Sequence, residues 1–335
     1  MIKLLSHLSH IRLAAPDPEA SAAFYEEHVG LRVIHRDDTG IYLRAWGDYY
    51  QYSVVIEKGE TAMSTMAWRT SSDEALDAAA AAVEAAGVTG TWKDKSFGHG
   101  RSFTFTGPYG HTMELYWDVE KFVAEPEFAS IYPDRPERRS RHAVAPRQLD
   151  HITLAASDVD GFAKWYSETL GFRVMAKTNI PQANNLSVFS VLTTNEKSHD
   201  LGVLFDSSPV PGRINHYAFW VDTREDLLEA ADVLMENGVG IEYGPSIHGI
   251  GEQSFLYFRD PSGMRIEVNT GGYRNYVPDW EPKTWTPSQG SSNFYRNGPI
   301  PVSMTESFPA APEPTATEEG IHPATEGHIK APTRP

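Results

Sequence analysis

The stretch Phe255-Leu-Tyr-Phe-Arg-Asp-Pro-Ser-Gly-Met-Arg-Ile-Glu-Val268 decides the fold. An Asp-Pro-Ser-Gly segment separates two runs rich in large and β-branched residues, which is typical of two strands joined by a tight turn. The residues alternate along the second strand, so Glu267 points away from the apolar face. A single carboxylate in that position is usually a solvated surface residue. The apolar face consists of Met264, Ile266 and Val268.

Two further stretches place a histidine in the same relation to an apolar face. In Leu149-Asp-His-Ile-Thr-Leu154 the alternation directs His151 away from the apolar side, and in Asn215-His-Tyr-Ala-Phe-Trp-Val221 it does the same for His216. If the sheet curls so that this face becomes concave, both histidines converge with Glu267. Two imidazoles and one carboxylate form the facial set that holds a non-haem Fe(II) and leaves other positions open. The sequence gaps are long, so the shared strand geometry supports this prediction more than the spacing does.

The composition narrows the class of protein. A chain of 335 residues is long enough for two domains. The absence of cysteine excludes disulfides, thiolate metal sites and cysteine nucleophiles. A net charge of −16 argues against nucleic acid or an anionic membrane as a partner. No stretch has the length of a bilayer span or the pattern of an export signal, so we expect a cytoplasmic protein.

The two halves of the chain repeat each other with offsets that grow by only a dozen residues. The N-terminal half has a histidine and a glutamate at two of the candidate ligand positions, but a threonine at the third. Two protein ligands hold a divalent metal poorly, so we expect the N-terminal half to keep the fold without the metal. The matched positions are His10 with His151, Thr65 with His216, and Glu114 with Glu267.

Each half is predicted to be a β-α-β-β-β unit, or the same unit twice over, in an α+β fold of duplicated modules that form two barrel-like domains. One helix is expected to start at Ser157 or Asp158 and to end at Gly171. Two more helices are predicted over 73–86 and 224–236. The predicted segments are a metal-free domain at 1–121, a linker at 122–147, a catalytic domain at 148–272, an aromatic extension at 273–308 and a disordered tail at 309–335.

Three further residues of the C-terminal half are candidates for acid-base chemistry. His199 precedes a predicted strand, His248 lies in a Gly-rich segment, and Tyr257 faces Glu267 across the hairpin. Each one alone is more often a surface or hydrogen-bonded residue. The N-terminal half is predicted to have Ser96 in place of His248 and Phe105 in place of Tyr257. The acid-base groups are therefore expected only in the half with the complete triad.

These motifs resemble the type I extradiol ring-cleaving dioxygenases of the vicinal oxygen chelate superfamily, over about residues 5 to 300. The stretches Leu149-Asp-His151, Asn215-His216-Tyr-Ala-Phe and Asp260-Pro-Ser-Gly-Met-Arg-Ile-Glu267-Val carry the resemblance. The segment Gly271-Gly-Tyr-Arg-Asn-Tyr-Val-Pro-Asp279 is similar to the C-terminal region of catechol 2,3-dioxygenases. One departure is Tyr243, which stands where relatives that accept carboxylated catechols carry an arginine.

The resemblance implies an Fe(II) enzyme, with Mn(II) as the alternative, that cleaves a single-ring catechol with O2 to a muconic semialdehyde. It assigns His151, His216 and Glu267 as the metal ligands, and the acid-base roles fall to His199, His248 and Tyr257. It also implies a homo-oligomer, by family habit a tetramer. Three alternatives remain: extradiol cleavage of a two-ring catechol, a metal-free protein that sequesters a ligand, and a metalloenzyme of the glyoxalase or epoxide-opening type.

Overall fold

A computed structural model describes residues 3–294 and 300–311. Four βαβββ units follow one another, so the doubled form of the predicted unit is the one observed. The first unit comprises β1 (Leu5–Ala15), α1 (Pro18–Phe24), β2 (Arg32–Asp37), β3 (Gly40–Arg44) and β4 (Val54–Lys58). The second comprises β5 (Ala62–Thr70), α2 (Asp73–Ala85), β6 (Gly90–Lys93), β7 (Ser102–Thr106) and β8 (Thr112–Tyr116).

The C-terminal half repeats this order. The third unit comprises β9 (Gln148–Ala156), α3 (Val159–Leu170), β10 (Arg173–Ile180), β11 (Leu186–Thr193) and β12 (Leu201–Phe205). The fourth comprises β13 (Ile214–Trp220), α4 (Arg224–Glu236), β14 (Ile241–Ile247), β15 (Gln253–Arg259) and β16 (Arg265–Gly271). A short strand, β17 (Lys283–Trp285), follows.

Each half of the chain forms one sheet in which two units meet through their first strands. The N-terminal sheet has the order β2-β3-β4-β1-β5-β8-β7-β6, and the C-terminal sheet has the order β14-β15-β16-β13-β9-β12-β11-β10-β17. The pairs β1–β5 and β9–β13 are antiparallel, whereas β13 and β16 are parallel. This architecture confirms the predicted α+β fold of duplicated modules, and it places β9, β13 and β16 side by side.

The helices begin and end where local chemistry predicts. Asp158 caps α3 by accepting a hydrogen bond from the amide of Gly161, and Gly171 ends it with a left-handed φ of 76°. The α2 helix ends at Ala85, one residue before the predicted limit. Among the described residues, the longest helices are α2 and α4, with 13 residues each. In the described part of the chain, no helix is long and apolar enough to cross a membrane.

The Asp-Pro-Ser-Gly turn between β15 and β16 is fixed by its own aspartate. The Asp260 Oδ1 atom accepts hydrogen bonds from the Ser262 amide at 2.8 Å and the Met264 amide at 3.0 Å. Gly263 adopts a φ of 88°, which a residue with a Cβ atom rarely tolerates. The turn therefore sets the hairpin register, in which Tyr257 lies opposite Glu267.

The buried core runs continuously through both halves. The Tyr25 hydroxyl from the N-terminal half contacts the Tyr217 hydroxyl and donates to Asp260 Oδ2 at 3.0 Å, both in the C-terminal half. The rings of Trp68 and Phe172 also meet across the boundary, with centroids 4.8 Å apart. The four aromatic side chains are essentially inaccessible to solvent, and Asp260 is buried as well. The two halves therefore share one core.

The C-terminal segment wraps around the C-terminal sheet. Trp280 packs beside the buried Met175 and donates from its indole nitrogen to the Met175 carbonyl at 2.9 Å. Further along, Phe308 joins the main core. The predicted disorder of the tail falls on residues 309–335, and all but the first three of these lie outside the described residues.

Buried neutral histidines are expected to make the metal-free protein unstable to acid. Burial lowers the pKa of His111 to about 4, although its ring also donates to the Arg213 carbonyl, and burial beside Arg69 lowers the pKa of His7 to about 4. The unfolded chain therefore binds protons below about pH 6.5 that the folded chain does not, so stability falls as the pH falls from about 6.5 to 4. At pH 5, each histidine should lower the free energy of unfolding by roughly 2 kcal/mol relative to neutral pH.

Urea unfolding of the metal-free protein at pH 7.5 and pH 5 measures this loss. His111→Gln keeps a donor for the Arg213 carbonyl but cannot titrate. The pH dependence of its free energy of unfolding should therefore correspond to the uptake of about one proton fewer than in the wild type. An unchanged pH dependence in this variant would contradict the assignment.

Candidate active site

The structure brings the three predicted metal ligands together on adjacent strands. His151 on β9 and Glu267 on β16 both neighbour Ala218 of β13, two residues beyond His216. The Glu267 Oε2 atom lies 3.2 Å from His151 Nε2 and 3.1 Å from His216 Nε2. One nitrogen or oxygen from each side chain lies within 4.8 Å of the others, and all three side chains are buried.

The residue that precedes each histidine orients it. The His151 Nδ1 atom lies 2.8 Å from Asp150 Oδ2, and the His216 Nδ1 atom lies 2.7 Å from Asn215 Oδ1. Both oxygens are acceptors, so each Nδ1 carries a hydrogen and each Nε2 faces the centre, where it can bind a metal ion once it is deprotonated. The Asn215 amide donates in turn to the Glu306 carbonyl at 2.9 Å, so the C-terminal segment positions one ligand. Sequence reasoning missed both partners, although they directly precede the predicted ligands.

The electrostatics of the triad suit a divalent cation. Burial lowers the pKa of His151, but Glu267 and Asp150 raise it to about 9, whereas burial lowers the pKa of His216 to about 4. Burial would raise the pKa of Glu267, but His151 holds it well below its usual range. The Glu267 Oε1 atom is buried without a hydrogen-bond partner. An ionised carboxylate and two imidazoles fit Fe(II) or Mn(II), which take nitrogen and oxygen ligands, and metal binding would displace the proton that His151 holds in the metal-free protein.

Tyr257 and His248 form a hydrogen-bonded pair beside the triad. The His248 Nδ1 atom lies 2.6 Å from the Ser292 carbonyl oxygen, which can only accept, so Nδ1 carries a hydrogen. In neutral His248, Nε2 then accepts a hydrogen bond from the Tyr257 hydroxyl at 3.0 Å. The same Nε2 lies 3.8 Å from Glu267 Oε1. The pair is thus placed to exchange a proton next to the ligand carboxylate.

His199 lies next to His151, whereas Tyr257 lies next to His216. The His199 ring centroid lies 4.4 Å from that of His151, and the side chain is buried. Burial and the neighbouring His151 hold the pKa of His199 well below its usual range. His199 is therefore neutral at pH 7 and can accept a proton. The structure places all three predicted acid-base residues around the triad.

Two predicted counterparts in the N-terminal half are wrong. Thr104 pairs with Glu114 as Tyr257 pairs with Glu267, so Thr104 and not Phe105 is the counterpart of Tyr257. The prediction was one residue out of register. Side chains alternate between the two faces along the whole strand, so the alternation does not mark which residue lies opposite Glu114. Thr65 does occupy the register position of His216, since Arg12 pairs with Thr65 as Thr153 pairs with His216.

The second correction concerns His99, which sequence reasoning missed. Its Nε2 atom lies 3.7 Å from Glu114 Oε1, whereas Ser96 was the predicted counterpart of His248. The His10 Nε2 atom lies 3.6 Å from Glu114 Oε2. An imidazole therefore faces the glutamate in both halves, so this group is not confined to the half with the triad. The distances from Glu114 to His10 and His99 are longer than those from Glu267 to its two ligand histidines. That the N-terminal half binds no metal stays a prediction.

A cavity of about 390 Å³ opens between the two edges of the C-terminal sheet. Ala176 of β10 lines one side, and Gly251 between β14 and β15 lines the other. Gly251 also neighbours His199, since a Cβ atom at Gly251 would lie 3.4 Å from His199 Nδ1, but no triad or acid-base side chain lines the cavity itself. Aromatic walls at this place suit a small planar ligand. They are formed by Tyr273, Trp280 and Trp285.

Comparison with known proteins identifies the superfamily of the chain. The sequence profile of the Glyoxalase/Bleomycin resistance protein/Dioxygenase superfamily matches residues 7–115 and 148–268. The chain belongs to this superfamily. Within it, the chain is 32% identical to the manganese-dependent 2,3-dihydroxybiphenyl 1,2-dioxygenase of Geobacillus genomosp. 3, over 94% of the chain and 98% of that protein.

Two further proteins resemble the chain over most of their length. The metapyrocatechase of Geobacillus stearothermophilus is 31% identical over 84% of the chain and 86% of that protein. The crystal structure of the 2,3-dioxygenase LapB from Pseudomonas sp. KL28 superposes with a TM-score of 0.76 at 26% identity, covering 85% of this chain and 99% of that one. These relatives confirm the resemblance to extradiol dioxygenases.

Proposed function

We propose that this protein is an extradiol dioxygenase that opens a single-ring catechol next to its two hydroxyl groups. The carbon–carbon bond beside the diol breaks, and both atoms of O2 enter the product, a 2-hydroxymuconic semialdehyde. The observation that carries the proposal is the buried set of His151, His216 and Glu267, in which both imidazole Nε2 atoms face the carboxylate. The metapyrocatechase and dioxygenase relatives support it.

The triad would hold Fe(II) or Mn(II). When bound, such an ion favours the ionised form of the catechol and provides the positions where the diol and O2 meet. The name of one relative states a dependence on manganese, which keeps that metal as the alternative to iron. Because the histidine rings are already oriented by Asp150 and Asn215, little rearrangement is needed to form the centre.

The acid-base residues would manage the protons of the substrate. The Tyr257 hydroxyl and the His248 Nε2 atom form a pair that can orient one catechol hydroxyl and hold its proton. Beside His151, neutral His199 would take a proton from the substrate and return it during O–O cleavage. Its low pKa favours that return, because the protonated form releases its proton readily.

Tyr243 supports a catechol without a carboxylated side chain. Its ring lies parallel to that of Tyr257, with centroids 6.2 Å apart, and its hydroxyl accepts from Asn293 Nδ2 at 2.9 Å. An arginine at this position would offer a charge to a carboxylate, whereas a phenol offers none. A two-ring catechol remains the second candidate, because 2,3-dihydroxybiphenyl stands in the name of a relative that matches nearly the whole chain.

The test is to load the protein with Fe(II) or Mn(II) without oxygen, and then to add catechol or 2,3-dihydroxybiphenyl in air. Yellow product from catechol, with about one metal ion per chain, would establish the reaction and the single-ring substrate. Turnover of 2,3-dihydroxybiphenyl alone would favour the second candidate. Failure to bind metal, or metal bound without cleavage of either diol, would refute the proposal.

Two further expectations stay predictions. Family habit implies a homotetramer, which sedimentation analysis of the purified protein would test. The cytoplasmic location would be tested by fractionating the cells that express it.

A further inference from the structure

A partly exposed lysine and a buried aspartate form an ion pair next to the metal ligand His151. The Lys197 Nζ atom lies 2.5 Å from Asp150 Oδ1 and donates to the Asp150 backbone carbonyl at 2.6 Å. The other carboxylate oxygen of Asp150 accepts from His151 Nδ1 at 2.8 Å. Only 4% of the Asp150 side chain is exposed. One carboxylate therefore joins the lysine to the ligand histidine.

Lys197 lies two residues before His199, in the turn that leads into β12. The ladder between β12 and β9 begins after this turn, with the Ile152 amide donating to the Asp200 carbonyl at 3.3 Å. His199 lies just beyond that end of the ladder. Backbone pairing with the strand of His151 therefore does not extend to His199.

Apart from the Ile152–Asp200 backbone bond, the remaining contacts shape the turn or tie it to elements other than β9, as in the hydrogen bond from Thr194 Oγ1 to the Ser6 carbonyl of β1 at 3.1 Å. The Asp200 carboxylate accepts from Thr194 Oγ1 and from Asn195 Nδ2, each at 2.9 Å, so it closes the turn on itself. The Asn275 amide donates to the Glu196 carbonyl at 2.8 Å and holds the outer side. Lys197 is the side chain that joins the turn to the residue next to His151.

The N-terminal half has no such charge at the matching place. Ser9 stands 141 residues before Asp150, and its hydroxyl hydrogen-bonds the Tyr116 hydroxyl. The equivalent histidine, His10, also contacts Tyr116. The ionic connection thus belongs to the half that contains the triad and His199.

We propose that Lys197 is a positioning residue, which holds His199 beside the ligand His151 through its ion pair with Asp150. The inference rests on the acid-base role proposed for His199. It assigns to Lys197 no contact with substrate or metal.

The chemistry of the pair suits this task. The Asp150 carboxylate lies between the two groups, with Oδ1 2.5 Å from Lys197 Nζ and Oδ2 2.8 Å from His151 Nδ1. Charge-assisted hydrogen bonds are shorter and stronger than neutral ones, and the two contacts of Lys197 fix its ammonium group on both the side chain and the backbone of Asp150. A hydrophobic side chain of similar length would lose both contacts.

The experiment compares Lys197→Met, His199→Ala and the double variant, all loaded with the same metal. Lys197→Met should retain its metal but turn over about 10- to 100-fold more slowly, as expected for a displaced catalytic group. The double variant should be no slower than His199→Ala, because a residue that acts through His199 has no effect in its absence. Lys197→Arg should recover part of the lost turnover, since it restores the charge.

Hydrogen exchange provides a readout that does not depend on turnover. The backbone amides of residues 194–200 should exchange faster in Lys197→Met than in the wild type. The matched control is Lys164→Met, which removes an exposed lysine from α3 whose contact with Glu168 is 4.0 Å long. This control should change neither exchange in the turn nor turnover.

The outcomes separate this inference from the proposed role of His199. Full turnover in His199→Ala would refute the acid-base role itself. If His199→Ala is slow, multiplicative losses in the double variant would overturn the inference, and so would wild-type turnover or unchanged exchange in Lys197→Met. Loss of metal from Lys197→Met would show that the lysine acts through His151 instead, and would also overturn it.

Discussion

Replacing Glu267 with alanine is expected to abolish metal binding while the protein remains folded. The Glu267 carboxylate contacts both ligand histidines, so its removal leaves two neutral imidazoles and no anionic ligand. Affinity for Fe(II) or Mn(II) should fall by more than about 100-fold, the upper range for losing a residue that only orients a ligand. Metal analysis after dialysis measures the loss, and circular dichroism verifies the fold.

Thr65 offers a matched control for the second ligand. It occupies in β5 the register position that His216 occupies in β13. His216→Ala should lose the metal, whereas Thr65→Ala should retain both metal and turnover. Full metal occupancy in Glu267→Ala or His216→Ala would refute the triad. A large loss of activity in Thr65→Ala would show that the N-terminal half contributes to catalysis.

Removing the imidazole of His199 should slow turnover by about two to four powers of ten, the usual range for a lost acid-base group. His199→Ala should still bind metal, because the triad is complete without it. The loss should appear mainly in kcat, since the residue is proposed to transfer a proton and not to hold the substrate. Steady-state kinetics, together with metal analysis of the same samples, distinguishes the two effects.

An exposed histidine provides the control for this variant. His142 lies on the surface of the segment between the two halves, so His142→Ala should behave like the wild type. Wild-type turnover in His199→Ala would remove His199 from the mechanism. A parallel loss of metal would mean that the residue supports the centre and does not transfer a proton.

The triad could be predicted because strand alternation is a strong signal. His151, His216 and Glu267 each lie opposite an apolar face, and adjacent strands bring such residues together when the sheet curls. The ends of α3 at Asp158 and Gly171 could also be predicted from the sequence, since capping depends on residues close in sequence.

The supporting residues could not be predicted in the same way. His99 lies before β7 and has no counterpart at the matching offset, so only its position in space reveals that it faces Glu114. Lys197 has the composition of an ordinary surface residue, and its role depends on a turn whose path alternation does not specify. Asn215 is positioned from the distant C-terminal segment, a contact that no local pattern indicates.

The shared core also has a consequence for how such a duplicated protein can change over time. Tyr25 reaches from one copy into the other and meets Tyr217 and Asp260 there, while Trp68 packs against Phe172. A cut between the copies would expose these side chains on both fragments, and each fragment would lose stability and become prone to aggregation. Loss of the N-terminal copy should therefore destabilise the C-terminal half, whatever chemistry that copy performs, because the two copies share one core.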